Sequence, residues 1–218
     1  MKYAEIVKHP EILEYYAKGS QILAKLGYTD HSTAHTKLVA ERAASLLEAF
    51  GYDEHDRELA KISGFLHDIG NCLNRNRHAE YGAILANEIL KDTDLPLKDR
   101  IQVVSAIANH DESTGVAADP IAAALIIADK SDVRRNRVME RSKSRFDTHD
   151  RVNYAVTASE LIFDSDKNLI ELSLTIDEEI CSMYDYFEIF FDRMMMCSRA
   201  AKVLNAKFAL LVNGQKIL

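Results

Sequence analysis

Helix breakers are scarce in this chain. Three prolines and eight glycines in 218 residues leave long stretches in which nothing stops an α-helix, and apolar residues in those stretches recur at the helical period. The pattern predicts one amphipathic helix over 2–18. After the turn Gly27-Tyr28-Thr29-Asp30, it predicts a second over 32–50 with His35, Leu38, Val39, Arg42 and Leu46 on one face, stopped by Gly51. A third starts at Asp53 or His55, turns Leu59, Ile62, Phe65, Leu66 and Ile69 inward, and ends at Gly70. Further helices are expected at 77–91, 97–110 and 119–134, the last opening on Asp119-Pro120 as N-cap and first helical residue.

The period changes beyond residue 150. Ile170, Leu172, Leu174 and Ile176 alternate with Glu171, Ser173 and Thr175, as in a half-buried strand. The turn residues 164–168 before it make 155–163 the other arm of a hairpin. Asp177-Glu178-Glu179 then places acids at the start of a long helix to about Asn205, and Phe208 to Val212 reads as a last strand. On that helix Tyr184, Phe187, Phe190, Phe191 and Met194 form an apolar stripe expected to pack on the hairpin, with a homodimer contact as a further use. Asp192 and Arg193 fall outside it. The fold expected is therefore mainly α: a helical domain at 1–150 with a small C-terminal α+β appendage at 151–218.

Charge narrows the partners. The formal net charge is −7 and the basic residues are scattered, which argues against a nucleic acid duplex, whose binding needs clustered Lys and Arg. A small anionic substrate needs only a few local cations. The N-terminus has no stretch fit for a signal peptide, and the longest apolar run, Ile121 to Ala128, is too short to cross a bilayer. Cys72, Cys181 and Cys197 show no metal-ligand spacing and read as reduced thiols. A cytoplasmic protein without a membrane partner is the expectation.

Several polar residues stand where burial would be costly. His67 and Asp68 adjoin at a helix end; successive helical side chains diverge by about 100°, so both can serve one ion only where the backbone opens. His35 lies within an apolar stripe, where a hydrogen-bonded core histidine is the plain alternative. Asp129 follows the run Ile121–Ala128, and a buried carboxylate needs a cation, either a metal or Arg134 or Arg135. His110 extends the face of Val103 and Ile107, and His78 shares a face with Gly82 and Leu85. Mixed imidazole and carboxylate ligands suit one or two divalent transition metals (Fe, Mn, Ni, Co or Zn) better than Mg or Ca.

In their order, His35, His67-Asp68 and Asp129 resemble the ligands of HD-domain metal-dependent phosphohydrolases. The flanking stretches 30–39, 66–70 and 126–130 match in type and order, so the resemblance covers about 28–135. It implies an HD-type helical bundle with His35, His67, Asp68 and Asp129 as metal ligands. It also implies that His78 and His110 bind a second metal or the substrate. The HDIG, His-x-x-x-Gly-Ala and Ala-Asp-Lys elements are most similar to bacterial HD hydrolases of dinucleoside polyphosphates. Asn71 stands where that subgroup often has a basic residue. Asp111 replaces the second histidine of the cyclic-dinucleotide phosphodiesterases, whose Gly-Tyr-Pro signature is missing.

The activity implied is hydrolysis of a phosphate ester or anhydride, a nucleotide above all, by metal-activated water. Asp68 would orient or deprotonate that water. Lys130 would stabilise the transferring phosphoryl group, with Arg134, Arg75 and Arg77 as further substrate contacts. His31, one turn before His35, suits helix capping or substrate contact better than ligation. Two other readings compete: a non-catalytic nucleotide-binding signalling module, and an HD-type di-iron oxygenase on a similar scaffold.

Overall fold

The computed structural model describes residues 1–138 and 148–218. The helices are α1 (Tyr3–Ile6), α2 (Pro10–Leu26), α3 (Thr33–Ala49), α4 (Glu54–Leu66), α5 (His78–Lys91), α6 (Leu97–Ala108), α7 (Pro120–Lys130), α8 (Thr148–Ala155) and α9 (Met183–Val203). The strands are β1 (Val156–Asp164), β2 (Leu169–Ile176), β3 (Lys207–Val212) and β4 (Gln215–Lys216). The architecture is mainly helical with a small C-terminal sheet.

Helix α7 explains the longest apolar run. Every residue from Ile121 to Ala128 is fully buried, because α3, α4, α6 and α9 all pack around this helix. A helix enclosed on all sides has no polar face. Asp119 caps it by accepting from the Ala122 amide, and Pro120 fills the first turn, where its missing N–H costs nothing. Helix α3 lies against α4 at a distance only glycine allows: a Cβ on Gly64 would stand 2.7 Å from the Ala40 Cα.

The strand order is β1-β2-β3-β4. β1 and β2 form the expected antiparallel hairpin, with Leu161 opposite Leu172. β3 joins β2 in parallel, with Leu172 opposite Leu210, so α9 makes the crossover between them. The Ser159 hydroxyl donates to the Ser131 carbonyl and ties β1 to the end of α7. Apolar residues before and after position 150 form one continuous core.

The structure corrects several boundaries. The helix expected over 2–18 is two helices, because Pro10 starts a new one that runs on to Leu26. The helix expected over 119–134 ends at Lys130, and Arg134 begins a separate 3-10 turn, Arg135–Arg137. Helix α9 starts at Met183 rather than near 177, because Ser182 and Asp185 form a reciprocal capping box. Its buried side chains include Tyr186, Phe190 and Met194, whereas Tyr184 and Phe191 are exposed, and the helix lies along α7 and β3 rather than on the hairpin. Helix α8 and strand β4 have no counterpart in the sequence reading.

Candidate metal centre and active-site cavity

Helix α4 ends at Leu66, and the backbone opens over the next two residues. His67 is still helical (φ −57°, ψ −37°), while Asp68 moves to φ −96°, ψ 3° before a 3-10 turn. The adjacent side chains can then converge, with His67 Nε2 3.3 Å from Asp68 Oδ2. From α3, His35 Nε2 lies 3.6 Å from that oxygen and 3.3 Å from Asp129 Oδ1. His67 Nε2 is 3.6 Å from the same Asp129 oxygen. Four residues spread over 95 positions of sequence thus meet at one point inside the bundle.

Each imidazole is aimed by its other nitrogen. His67 Nδ1 faces the Gly64 carbonyl at 2.8 Å, His110 Nδ1 the Ile107 carbonyl at 2.7 Å, and His78 Nδ1 the Arg75 carbonyl at 3.1 Å. His35 Nδ1 faces the Asp132 carboxylate at 2.7 Å. An acceptor at Nδ1 holds a proton there and turns Nε2 into the site. His35 Nε2, His67 Nε2 and Asp68 Oδ2 are buried without a hydrogen-bond partner. Such groups are costly in a protein interior unless something compensates them. Two triads, His35/His67/Asp129 and His67/Asp68/His110, hold their donor atoms within 4.8 Å of one another. This donor set fits a divalent transition metal.

His78 and His110 continue the cluster. Their Nε2 atoms face each other at 3.1 Å, and His78 Nε2 is 3.5 Å from Asp68 Oδ1 and 3.8 Å from Asp111 Oδ2. Gly70 makes this placement possible. It does not stop α4, as its position suggested. It lies in the 3-10 turn, where a Cβ would fall 2.1 Å from the His78 carbonyl oxygen and 2.5 Å from the Gly82 amide.

The electrostatics call for positive charge between the carboxylates. Burial opposes a charge on His67, but Asp68 and Asp129 outweigh it and lift its pKa to about 10. Burial likewise opposes ionisation of Asp68 and Asp129, yet both are held well below the usual carboxylate range. His67 does most for Asp68, and Lys130 for Asp129. Burial and then His67 push His110 down to about 3, and His78 is lowered by burial and Arg75. These two rings are neutral near pH 7.

Beside the cluster lies a cavity of about 190 Å³. Asp68, His78, His110, Asp129, Lys130 and Arg75 line it, as do Arg137, Arg193 and the α8 residues His149, Asp150 and Asn153. Lys130 Nζ donates to Asp129 Oδ2 at 2.8 Å, so Asp129's cation partner is Lys130 rather than Arg134 or Arg135. His31 lines the cavity too, with Nδ1 2.6 Å from the Thr29 carbonyl. Two expected substrate contacts lie elsewhere. Arg77 is exposed beside Glu80, and Arg134 is drawn onto Asp132, behind His35. Sequence reasoning also passed over Asp132, Arg137, Glu112 and Arg193. Asp132 lies beyond the end of α7, where the helical period gives no signal.

Residues 33–137 match the HD domain family. A protein of Methanocaldococcus jannaschii called Uncharacterized protein MJ1020 is 27% identical over 204 residues, covering 82% of this chain and 77% of that one. Ribonuclease Y of Campylobacter concisus is 30% identical over 138 residues, 61% of this chain, and the match spans only 24% of that much longer enzyme. The crystal structure of a predicted HD superfamily hydrolase from an uncultured Thermotogales bacterium aligns with a TM-score of 0.45 at 25% identity, over 62% of this chain and 75% of that one. Among the described residues no helix is long and apolar enough to cross a membrane. The segment similar to the HD domain family, 33–137, is the one in which His35, His67, Asp68 and Asp129 converge.

Proposed function

We propose that this protein is a metal-dependent phosphohydrolase that cleaves a phosphate ester or anhydride, with nucleotides as the preferred substrate class. The observation that carries the reading is the convergence of three unpartnered buried donors, His35 Nε2, His67 Nε2 and Asp68 Oδ2, beside a cavity lined by cations. In this reading His35, His67, Asp68 and Asp129 hold a divalent transition metal, and His78 and His110 contact a second ion or the substrate. A bound metal supplies Lewis acidity and lowers the pKa of water it carries.

The chain's own groups do the rest. Asp68 accepts a hydrogen bond from the Asn71 side chain at Oδ1, which fixes its carboxylate plane, and its Oδ2 points into the ligand cluster to take the proton of the attacking water. Lys130 and Arg75 neutralise the phosphoryl oxygens. The neutral rings of His78 and His110 keep their protons on Nδ1, against backbone carbonyls, and present Nε2 lone pairs that can ligate a second ion or accept a hydrogen bond from the substrate. Residues 1–150 form the catalytic unit and 151–218 the appendage. Similarity to a segment of Ribonuclease Y adds phosphodiesters to the substrates worth testing.

Elemental analysis of the purified protein, followed by phosphate-release assays on nucleoside mono- and polyphosphates, dinucleoside polyphosphates and phosphodiesters, tests the proposal. His67→Ala and Asp129→Ala should abolish metal-dependent turnover in a chain that stays helical. Turnover retained by either variant refutes it.

A further inference from the structure

The appendage sends one side chain into the cavity. Arg193 of α9 lines it together with Lys130 of α7. Its Nε donates to Glu112 Oε1 at 2.8 Å, and its guanidinium lies 4.7 Å from the Phe190 ring centroid. The other Glu112 oxygen accepts from Lys130 Nζ at 2.7 Å, and the same ammonium reaches Asp129 Oδ2. Glu112 itself does not line the cavity. One carboxylate therefore holds two cavity cations from behind, one from α7 and one from α9. Among the described residues the two terminal nitrogens of Arg193 have no other hydrogen-bond or ion-pair partner, while the stacked ring and the Glu112 bond fix the plane of the fork.

We propose that Arg193 binds a second phosphoryl group of the substrate, next to the reacting one at Lys130, with Glu112 as the positioning residue for both cations. This deepens the phosphohydrolase reading and rests on it for the identity of the reacting group. Two observations direct Arg193 to a group other than the reacting one. Lys130 touches Asp129 directly, whereas Arg193 is one whole carboxylate farther from the ligand cluster. The cavity lining also holds four cations, Arg75, Lys130, Arg137 and Arg193, against the carboxylates of Asp68, Asp129 and Asp150. Once Asp68 and Asp129 serve a metal, the remaining surface favours a polyanion. Substrates with two or more phosphoryl groups are thus preferred over phosphomonoesters, and the C-terminal segment sets that preference.

The test uses two inert probes, methylenediphosphonate with two phosphonyl groups and methylphosphonate with one, titrated calorimetrically into the full-length protein as purified. Arg193→Gln should weaken the diphosphonate by about tenfold or more, the order expected for a lost charge-assisted fork, and methylphosphonate by less than about threefold. Arg193→Lys keeps the charge without the fork and should fall between. It also keeps the test decisive if the glutamine variant folds poorly. Equal affinity of wild type and Arg193→Gln for the diphosphonate overturns the proposal. So does an equal loss for both probes, or no diphosphonate binding by the wild type. Metal content is measured separately. A protein without metal fails the phosphohydrolase reading, while the two-probe comparison still decides on Arg193.

Discussion

Asp132 Oδ2 lies 2.7 Å from His35 Nδ1, on the side of the ring facing away from the cavity. Arg134 and Arg137 press on the same carboxylate. Burial opposes its charge, but the His35 bond and Arg137 keep it well below the usual carboxylate range. His35 is thereby held with Nδ1 on Asp132 and Nε2 turned inward. Asp132→Asn keeps the shape and loses the charge that strengthens the ring as a donor. Metal affinity should fall by about tenfold or more, as is typical when the partner of a ligand histidine is altered. Competition with a chromophoric chelator measures this, and unchanged affinity would show that Asp132 does not support the site.

Gly70 makes a different prediction, about packing. Gly70→Ala puts a methyl group into the His78 carbonyl and the Gly82 amide, both backbone atoms that cannot swing aside. The cost should be at least about 2 kcal/mol, or roughly 4–8 °C in Tm for a chain of this size. Because α5 must move to relieve the clash, His78 should lose its place opposite His110. A thermal melt equal to wild type would mean that the helix relaxes without penalty.

The four converging residues were legible because each is a polar residue next to or within an apolar helical pattern. His35 sits in a stripe, Asp129 ends a wholly apolar run, and His67-Asp68 stand at a helix end. Burial is the property a period reports. Asp132 lies past the end of α7, where no period says which side faces inward. Arg193 was read only as lying off the apolar stripe of α9. A period marks the face turned to the core and cannot tell open solvent from a cavity bounded by another part of the chain. Helix α8, whose residues His149, Asp150 and Asn153 line the cavity, was not foreseen either. Arg77 and Arg134 were placed by their nearness in sequence to HDIG and Asp129, and local carboxylates, Glu80 and Asp132, captured them instead.

Glu112 predicts a pH dependence of stability. Burial opposes its ionisation, but Lys130 and then Arg193 outweigh this and depress its folded pKa strongly. A depressed carboxylate adds stability that is fully present above its unfolded pKa of about 4.3 and is lost as pH falls through the folded value. Glu112→Gln should therefore be less stable than wild type at pH 7 by about 1–2 kcal/mol, discounted for partial exposure. The gap should close as the pH drops below about 4. Urea unfolding at pH 7, 5 and 3 checks the sign; a gap that widens in acid contradicts the assignment.

Removal of the metal provides the last prediction. A ligand that binds the folded chain and not the unfolded one stabilises by about 2.7 kcal/mol at a hundred times its Kd. The donors of His35, His67, Asp68 and Asp129 come from α3, the end of α4 and α7, so unfolding must scatter them and release the ion. Stripping with EDTA should lower Tm by roughly 5–10 °C, and adding back Mn or Zn should restore it. Asp129→Ala should show a clearly smaller metal-dependent shift, because it retains only three of the four donors and leaves Lys130 without its nearest partner in the ligand cluster. A wild-type melt indifferent to chelator would mean that these four side chains do not hold an ion in the folded state.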